Sequence, residues 1–254
     1  MSGHSKWANI KRKKEANDKV KGSIFSKLSR MITLAVIEGG GIGDPDKNFK
    51  LRLAVDKARL ANMPKDNIKR AIDRALGSNK DILKEIIYEA FAPGKVLLII
   101  QATSDNSNRT LSEIRYVLER YGGKLGTQGS VMYLFRKCGT ITFAKTEASE
   151  EVVFEFSNRI KALDIDQDND NYFVAFPFEN LGKIKEYLGN LQYKEAEIDY
   201  KPLTTIKVDN EEEARKIIKL IDSLEALDDV QKVFSNFDIS EEILNRIGAQ
   251  INSV

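Results

Sequence analysis

The chain has 254 residues, 42% hydrophobic and 31% charged, the profile of a water-soluble globular protein of about two domains at roughly 150 residues each. A single cysteine, Cys138, excludes an intramolecular disulfide framework, a single histidine, His4, removes most imidazole catalysis and metal binding, and the longest aliphatic run, residues 96–100, is far too short to cross a bilayer. The formal charge of +2 conceals an asymmetry: residues 1–80 hold 19 Lys/Arg against 8 Asp/Glu, and residues 81–254 hold 21 against 30, so the basic end points to a polyanionic partner, nucleic acid first among them.

Residues 1–22 read as a polar, basic arm with no apolar signal segment, which suits a reducing, cytoplasmic compartment. From Gly22 the apolar residues Ile24, Phe25, Leu28, Met31, Ile32 and Ala35 follow a helical period. The glycine run at 39–43 breaks that helix. Leu51, Ala54, Val55, Ala58 and Ala61 predict a second helix. Pro64 opens a third, with Ile68, Ala71, Ile72 and Ala75 inward and Lys65, Lys69, Arg70 and Arg74 outward.

After residue 79 the period changes. Residues 86–91 and 95–103 read as strands around the turn Ala92-Pro93-Gly94. Thr110 and Glu113 form a capping-box pattern for a helix that Gly122-Gly123 ends. A strand is expected at 130–135. Residues 139–199 then offer strand, helix, strand, helix, strand, and residues 203–236 a last strand, helix, strand.

This order predicts an α+β fold with an N-terminal helical domain and its basic arm (1–79). Two α/β, ferredoxin-like domains follow. One is built from 80–135 plus 201–240, and the other, acidic, is inserted at 136–200. Residues 241–254 are expected as a C-terminal tail. Two consecutive domains meeting near residue 138 are the alternative topology.

The sequence carries few chemical motifs. No triad can form around His4 in an arm. The glycine clusters lack the Gly-Lys-Ser/Thr of a phosphate loop. Asp164, Asp166, Asp168 and Asp170 alternate like a calcium loop, but Asn169 and Ala175 stand where Gly and Glu are needed, so an acidic turn is expected. Cys138 reads as a small apolar residue. No metal, cofactor or catalytic residue is expected. The arm offers more: His4, Lys6, Trp7, Asn9, Lys11, Arg12, Lys13 and Lys14 combine cations for phosphates with one aromatic, which either stacks on an unpaired base or anchors the arm. Lys27, Lys69, Arg70 and Arg74 extend the candidate nucleic-acid surface. Asn106, Asn108 and Arg109 are secondary candidates in a polar loop that ordinary turn and cap chemistry also explains.

Several stretches together resemble the YebC/PmpR family. They are Ser2-Gly3-His4-Ser5-Lys6-Trp7-Ala8-Asn9-Ile10-Lys11, Phe25-Ser26-Lys27-Leu28, Gly39-Gly40-Gly41, Ala61-Asn62-Met63-Pro64 and Ile87-Tyr88-Glu89. Further along come Asp105-Asn106-Ser107-Asn108-Arg109-Thr110, Gly122-Gly123-Lys124-Leu125-Gly126, Gly129-Ser130-Val131 and Asp228-Asp229-Val230-Gln231-Lys232-Val233-Phe234-Ser235-Asn236-Phe237. The resemblance implies three domains, the third inserted in the second, and a cytoplasmic, non-enzymatic, DNA-binding transcriptional regulator. Relatives also act in translation, among them a mitochondrial activator of cytochrome oxidase synthesis and bacterial members that help ribosomes through consecutive prolines. An RNA-binding, ribosome-associated factor is therefore the alternative. Lys95 stands where relatives often carry a second Gly, and Ser107 where they often carry Arg.

Overall fold

The computed structural model describes residues 18–77 and 83–251. Three helices come first: α1 (Asp18–Glu38), α2 (Phe49–Leu60) and α3 (Lys65–Leu76). Leu28, Ile32, Ala35 and Val36 of α1 meet Leu51, Ala54, Val55 and Ala58 of α2 and Ile68, Ala71 and Ala75 of α3 in one buried cluster. The glycine run between α1 and α2 has a steric cause. A Cβ on Gly39 would fall 2.0 Å from the amide nitrogen of Asn48, and Gly40 and Gly41 take φ of 72° and 80°, where a Cβ is costly. Buried Asn48 fills that space. It donates to the carbonyls of Ala35 (2.8 Å) and Ile42 (3.1 Å) and caps α2 by accepting from the Leu51 N–H.

A four-stranded antiparallel sheet follows, ordered β3-β1-β2-β9, from β1 (Lys84–Phe91), β2 (Leu97–Ser104), β3 (Lys124–Leu125) and β9 (Val230–Ser235). The aliphatic run in β2 reflects burial on both faces. Leu98 and Ile100 pack against helices, and Ile99 joins Val131, Phe135, Tyr200 and Phe234 behind the sheet. The covering helices are α4 (Ser107–Arg120), α7 (Glu211–Glu225) and α8 (Glu241–Ile251).

Between β3 and α7 the chain builds a second sheet. Its elements are β4 (Phe135–Ala144), α5 (Glu150–Ile160), β5 (Asp164–Gln167), β6 (Asn171–Pro177), α6 (Ile184–Leu188) and β7 (Glu195–Pro202). The strand order β5-β6-β4-β7, all antiparallel, is that of a ferredoxin-like β-α-β-β-α-β unit with its own core around Phe143, Phe156 and Phe176. Two residues of β8 (Ile206–Lys207) pair in parallel with β10 (Phe237–Asp238) beyond the first sheet.

Four details depart from the sequence expectation. Residues 241–251 are not a tail: Ile243, Leu244 and Ile247 recur at helical spacing and enter the first sheet's core. Of the expected 130–135 strand only Phe135 is extended, as the first residue of β4, because the backbone N–H groups of Gly129, Val131 and Met132 turn inward onto the buried Glu89 carboxylate. The sheet's edge is the shorter β3. Only Ile206 and Lys207 of the expected 203–209 strand pair, in the side ladder with β10. Finally, α4 starts before Thr110. Asn106 is its cap, accepting from the Arg109 N–H at 3.1 Å, and Thr110 lies buried inside the helix.

Candidate nucleic-acid interface

His4, Lys6, Trp7, Asn9, Lys11, Arg12, Lys13 and Lys14 lie outside the described residues. The remaining candidates separate into two groups. Lys69, Arg70 and Arg74 lie with Lys65 on the exposed side of α3, opposite its buried Ile68, Ala71 and Ala75. Arg70 is held by Asn67 and the Asp66 carbonyl, while Asp66 and Asp73 interleave carboxylates on the same helix. This face can meet phosphates. Asn67 on this helix is half-buried, with its side-chain oxygen taken by Arg70.

The other group is structural in its contacts. Lys27 donates to the Glu225 carbonyl at the end of α7. Next to it Arg30 pairs with Asp229 and reaches the Asp228 carbonyl at 3.4 Å. Asp229, 2% exposed, is a hub. One carboxylate oxygen accepts from the hydroxyls of Ser104 (3.1 Å) and Thr110 (2.6 Å) and from Arg109 (2.7 Å), and the other takes Arg30. Burial pushes this carboxyl up, but the Thr110 hydroxyl and the two guanidinium groups outweigh it and hold it down at about 2. Arg109 also pairs with Asp105 at 2.9 Å. Asn106 caps α4, and Asn108 is exposed on its first turn, its carbonyl accepting from Ser112. The polar 104–110 stretch, from the end of β2 into the first turn of α4, is thus organised around a carboxylate 120 residues further on, which pins α1 to the first sheet.

A second ionic clasp joins all three parts of the molecule. Lys57 of α2 lies 3.1 Å from Glu195 and 2.8 Å from Glu197 of β7, and Lys232 of β9 lies 2.7 Å from the other Glu197 oxygen. Burial pushes the Glu197 carboxyl up, but Lys232 and Lys57 override it and keep it far below the ordinary carboxylate range. Phe49 and Leu53 of α2 pack on the second sheet's core alongside this clasp. Sequence reasoning missed Arg30, Lys57, Glu197, Asp229 and Lys232. The only available signal was Asp228-Asp229 within a family-like stretch.

The remaining chemistry is sparse. Cys138 is fully buried, and burial, with Asp199 beside it, raises its thiol to about 12, away from nucleophilic use at neutral pH. The 164–170 carboxylates form β5 and a turn in which Asp168 accepts from the Asp170 and Asn171 N–H groups. No group of three or more metal-ligating side chains occurs among the described residues. No helix among them is long and apolar enough to cross a membrane. An open depression of about 430 Å³ on α5 is lined by Glu150, Glu151, Phe154, Glu155 and Asn158, a charge that repels polyanions.

Comparison with known proteins covers nearly the whole chain. Residues 5–78 match the TACO1/YebC protein N-terminal domain, and residues 83–237 match the TACO1/YebC second and third domain. A "Probable transcriptional regulatory protein" of Rubrobacter xylanophilus is 44% identical over 97% of this chain and 99% of its own. The "Transcriptional regulatory protein PmpR" of Pseudomonas aeruginosa is 45% identical over 98% of this chain and 100% of its own. The crystal structure of a conserved hypothetical protein from Aquifex aeolicus superposes with a TM-score of 0.81 at 41% identity, covering 89% of this chain and 94% of the other. With both family segments matched in order and a solved relative sharing the fold, the chain belongs to the TACO1/YebC family.

Proposed function

We propose that the protein is a non-enzymatic regulator of gene expression that binds nucleic acid, acting on DNA in the cytoplasm through its helical domain and basic arm. The observation that carries this is the outward face of α3. Lys65, Lys69, Arg70 and Arg74 point to solvent there, whereas Lys27, Arg30 and Lys57 of the same bundle are held in contacts with the rest of the chain. The 19 Lys/Arg of residues 1–80 are concentrated in the same region. The names of the relatives support transcription as the process. The test is duplex binding by the full chain across a salt series. Replacing Lys65, Lys69, Arg70 and Arg74 by Ala should flatten the slope of log affinity against log salt by about 3–4, at roughly 0.9 per phosphate contact. An unchanged slope would remove this face from the interface.

A second reading is an RNA-binding translation factor that works on ribosomes stalled at consecutive prolines. Lys65, Lys69, Arg70 and Arg74 of α3 meet the phosphates of RNA as readily as those of DNA, and the exposed Asp66 and Asp73 between them repel either backbone alike. Crosslinking in cells followed by sequencing of the attached nucleic acid separates the two. Promoter DNA selects the first, ribosomal RNA the second.

A further inference from the structure

The body of the protein beyond residue 80 is acidic overall, yet exposed cations lie beside and beyond an exposed aromatic ring at the C-terminal end of α4. Helix α4 buries Ile114, Val117 and Leu118 and turns Arg115, Tyr116 and Arg120 to solvent. Tyr116 is 66% exposed. At i,i+4 spacing Arg120 is its neighbour along the helix. Beyond the C-terminus of α4 the chain returns through Gly122, whose Cβ position lies 3.9 Å from Pro93, and Lys124 then pairs with Phe91 at the sheet edge. The 93–95 turn, with its exposed Lys95, therefore flanks the end of α4. None of Arg115, Arg120, Lys124 and Lys95 is held in an ion pair among the described residues, and Arg120 makes only a 5.8 Å approach to the Tyr121 ring. Two carboxylates border the same stretch, the exposed Glu119 and the half-buried Glu213 of α7, whose oxygens lie against Gly94 of the turn.

The exposed ring of Phe154, by contrast, is ringed by Glu150, Glu151 and Glu155. Unpaired cations around an exposed ring are what a nucleic-acid strand with an unstacked base recognises, the cations tracking its backbone and the ring its base.

We propose that this end of α4, with Tyr116 as the stacking platform and Arg115, Arg120, Lys124 and Lys95 as phosphate contacts, is a second binding surface, specific for unpaired nucleotides. It rests on the reading of the protein as a nucleic-acid binder and adds a single-stranded contact on the first sheet's helical layer.

The test measures the full chain against oligouridine, oligothymidine and a DNA duplex of the same length. Tyr116→Ala should weaken binding to both single strands about 5- to 100-fold and leave the duplex and the salt slope unchanged. Tyr116→Phe should retain binding. Replacing Arg115, Arg120 and Lys124 by Ala should flatten the single-strand salt slope by about 2. A larger loss on oligouridine than on oligothymidine identifies RNA as the source of the unpaired base, and equal losses identify single strands of either kind. If the unaltered chain binds while Tyr116→Ala matches it on both single strands, this surface is not a nucleic-acid contact and its exposure is left to a protein partner. The inference is equally overturned if Tyr116→Phe loses as much as Tyr116→Ala. If the unaltered chain binds none of the three probes, the broader reading falls and this surface with it. Thermal unfolding of the Tyr116 variants should be unchanged, because the ring is exposed.

Discussion

At the residue scale the chain is governed by a few polar groups whose partners lie far away in sequence. Asp229 satisfies Ser104, Arg109, Thr110 and Arg30 from three separate segments. Its folded carboxyl lies at about 2, below the ordinary aspartate value of 3.8. A depressed carboxyl contributes stability that is complete above its unfolded value and is lost as pH falls through its folded one. Unfolding free energy should therefore drop by about 2 kcal/mol between roughly pH 4 and pH 2, and Asp229→Asn should remove that part of the acid dependence. Urea titrations at stepped pH would show it, and an identical acid profile in the variant would refute it. Lys95 offers the opposite case. It takes φ of 63° directly after Gly94 at 69°, where a side chain is strained and glycine is not. Lys95→Gly should raise stability by up to about 1 kcal/mol, the relief of strain being partly offset by the freer unfolded chain.

At the element scale, what was legible followed from periodicity, and what was not depended on remote partners. The stripe Ile68, Ala71 and Ala75 marked α3, and Ala214, Ile217, Ile218, Ile221 and Leu224 mark α7, because each helix buries one local face. The start of α4 was misread since Thr110 and Glu113 look like a cap, while the Thr110 hydroxyl is committed to Asp229 from a loop that no local window contains. The N-terminal candidates on α3 were legible as exposed charge. The different fate of Lys27 was not, because its carbonyl acceptor is 198 residues away. Helix α8 was overlooked as a short terminal segment, though Ile243, Leu244 and Ile247 are buried against α7 and the sheet. Ile247→Ala should accordingly cost about 2–5 kcal/mol, the range for emptying a large aliphatic site in a core. An unchanged urea midpoint would show that α8 only rests on the surface.

At the scale of the whole molecule, the chain leaves the first sheet after β3, builds the second sheet, and returns through α7 and β9. The exit and return points touch: the Leu203 N–H donates to the Leu134 carbonyl at 2.8 Å. We propose on this basis that the second sheet, residues 135–202, is an inserted domain that can be cut out and bridged. It has its own core, with Phe143 and Phe156 meeting edge-on at 5.1 Å. Expressed alone it should unfold cooperatively, at reduced stability, because Phe135 and Tyr200 lose Phe234 and the Glu197 carboxylate loses both Lys57 and Lys232. The remainder, joined from Leu134 to Leu203 by a short glycine–serine turn, should also fold, since every strand of the first sheet and all three of its covering helices are retained. Residues 83–134 without the return should not, because β2 would lose β9 along one edge and the α7 stripe over Leu98 and Ile100. Amide dispersion and urea unfolding of the three fragments check this together. A well-dispersed, cooperatively unfolding 83–134 fragment would refute the inserted arrangement. Failure of the bridged remainder, with 135–202 intact, would instead show that the first sheet needs Phe135 and Tyr200 behind Ile99 to fold.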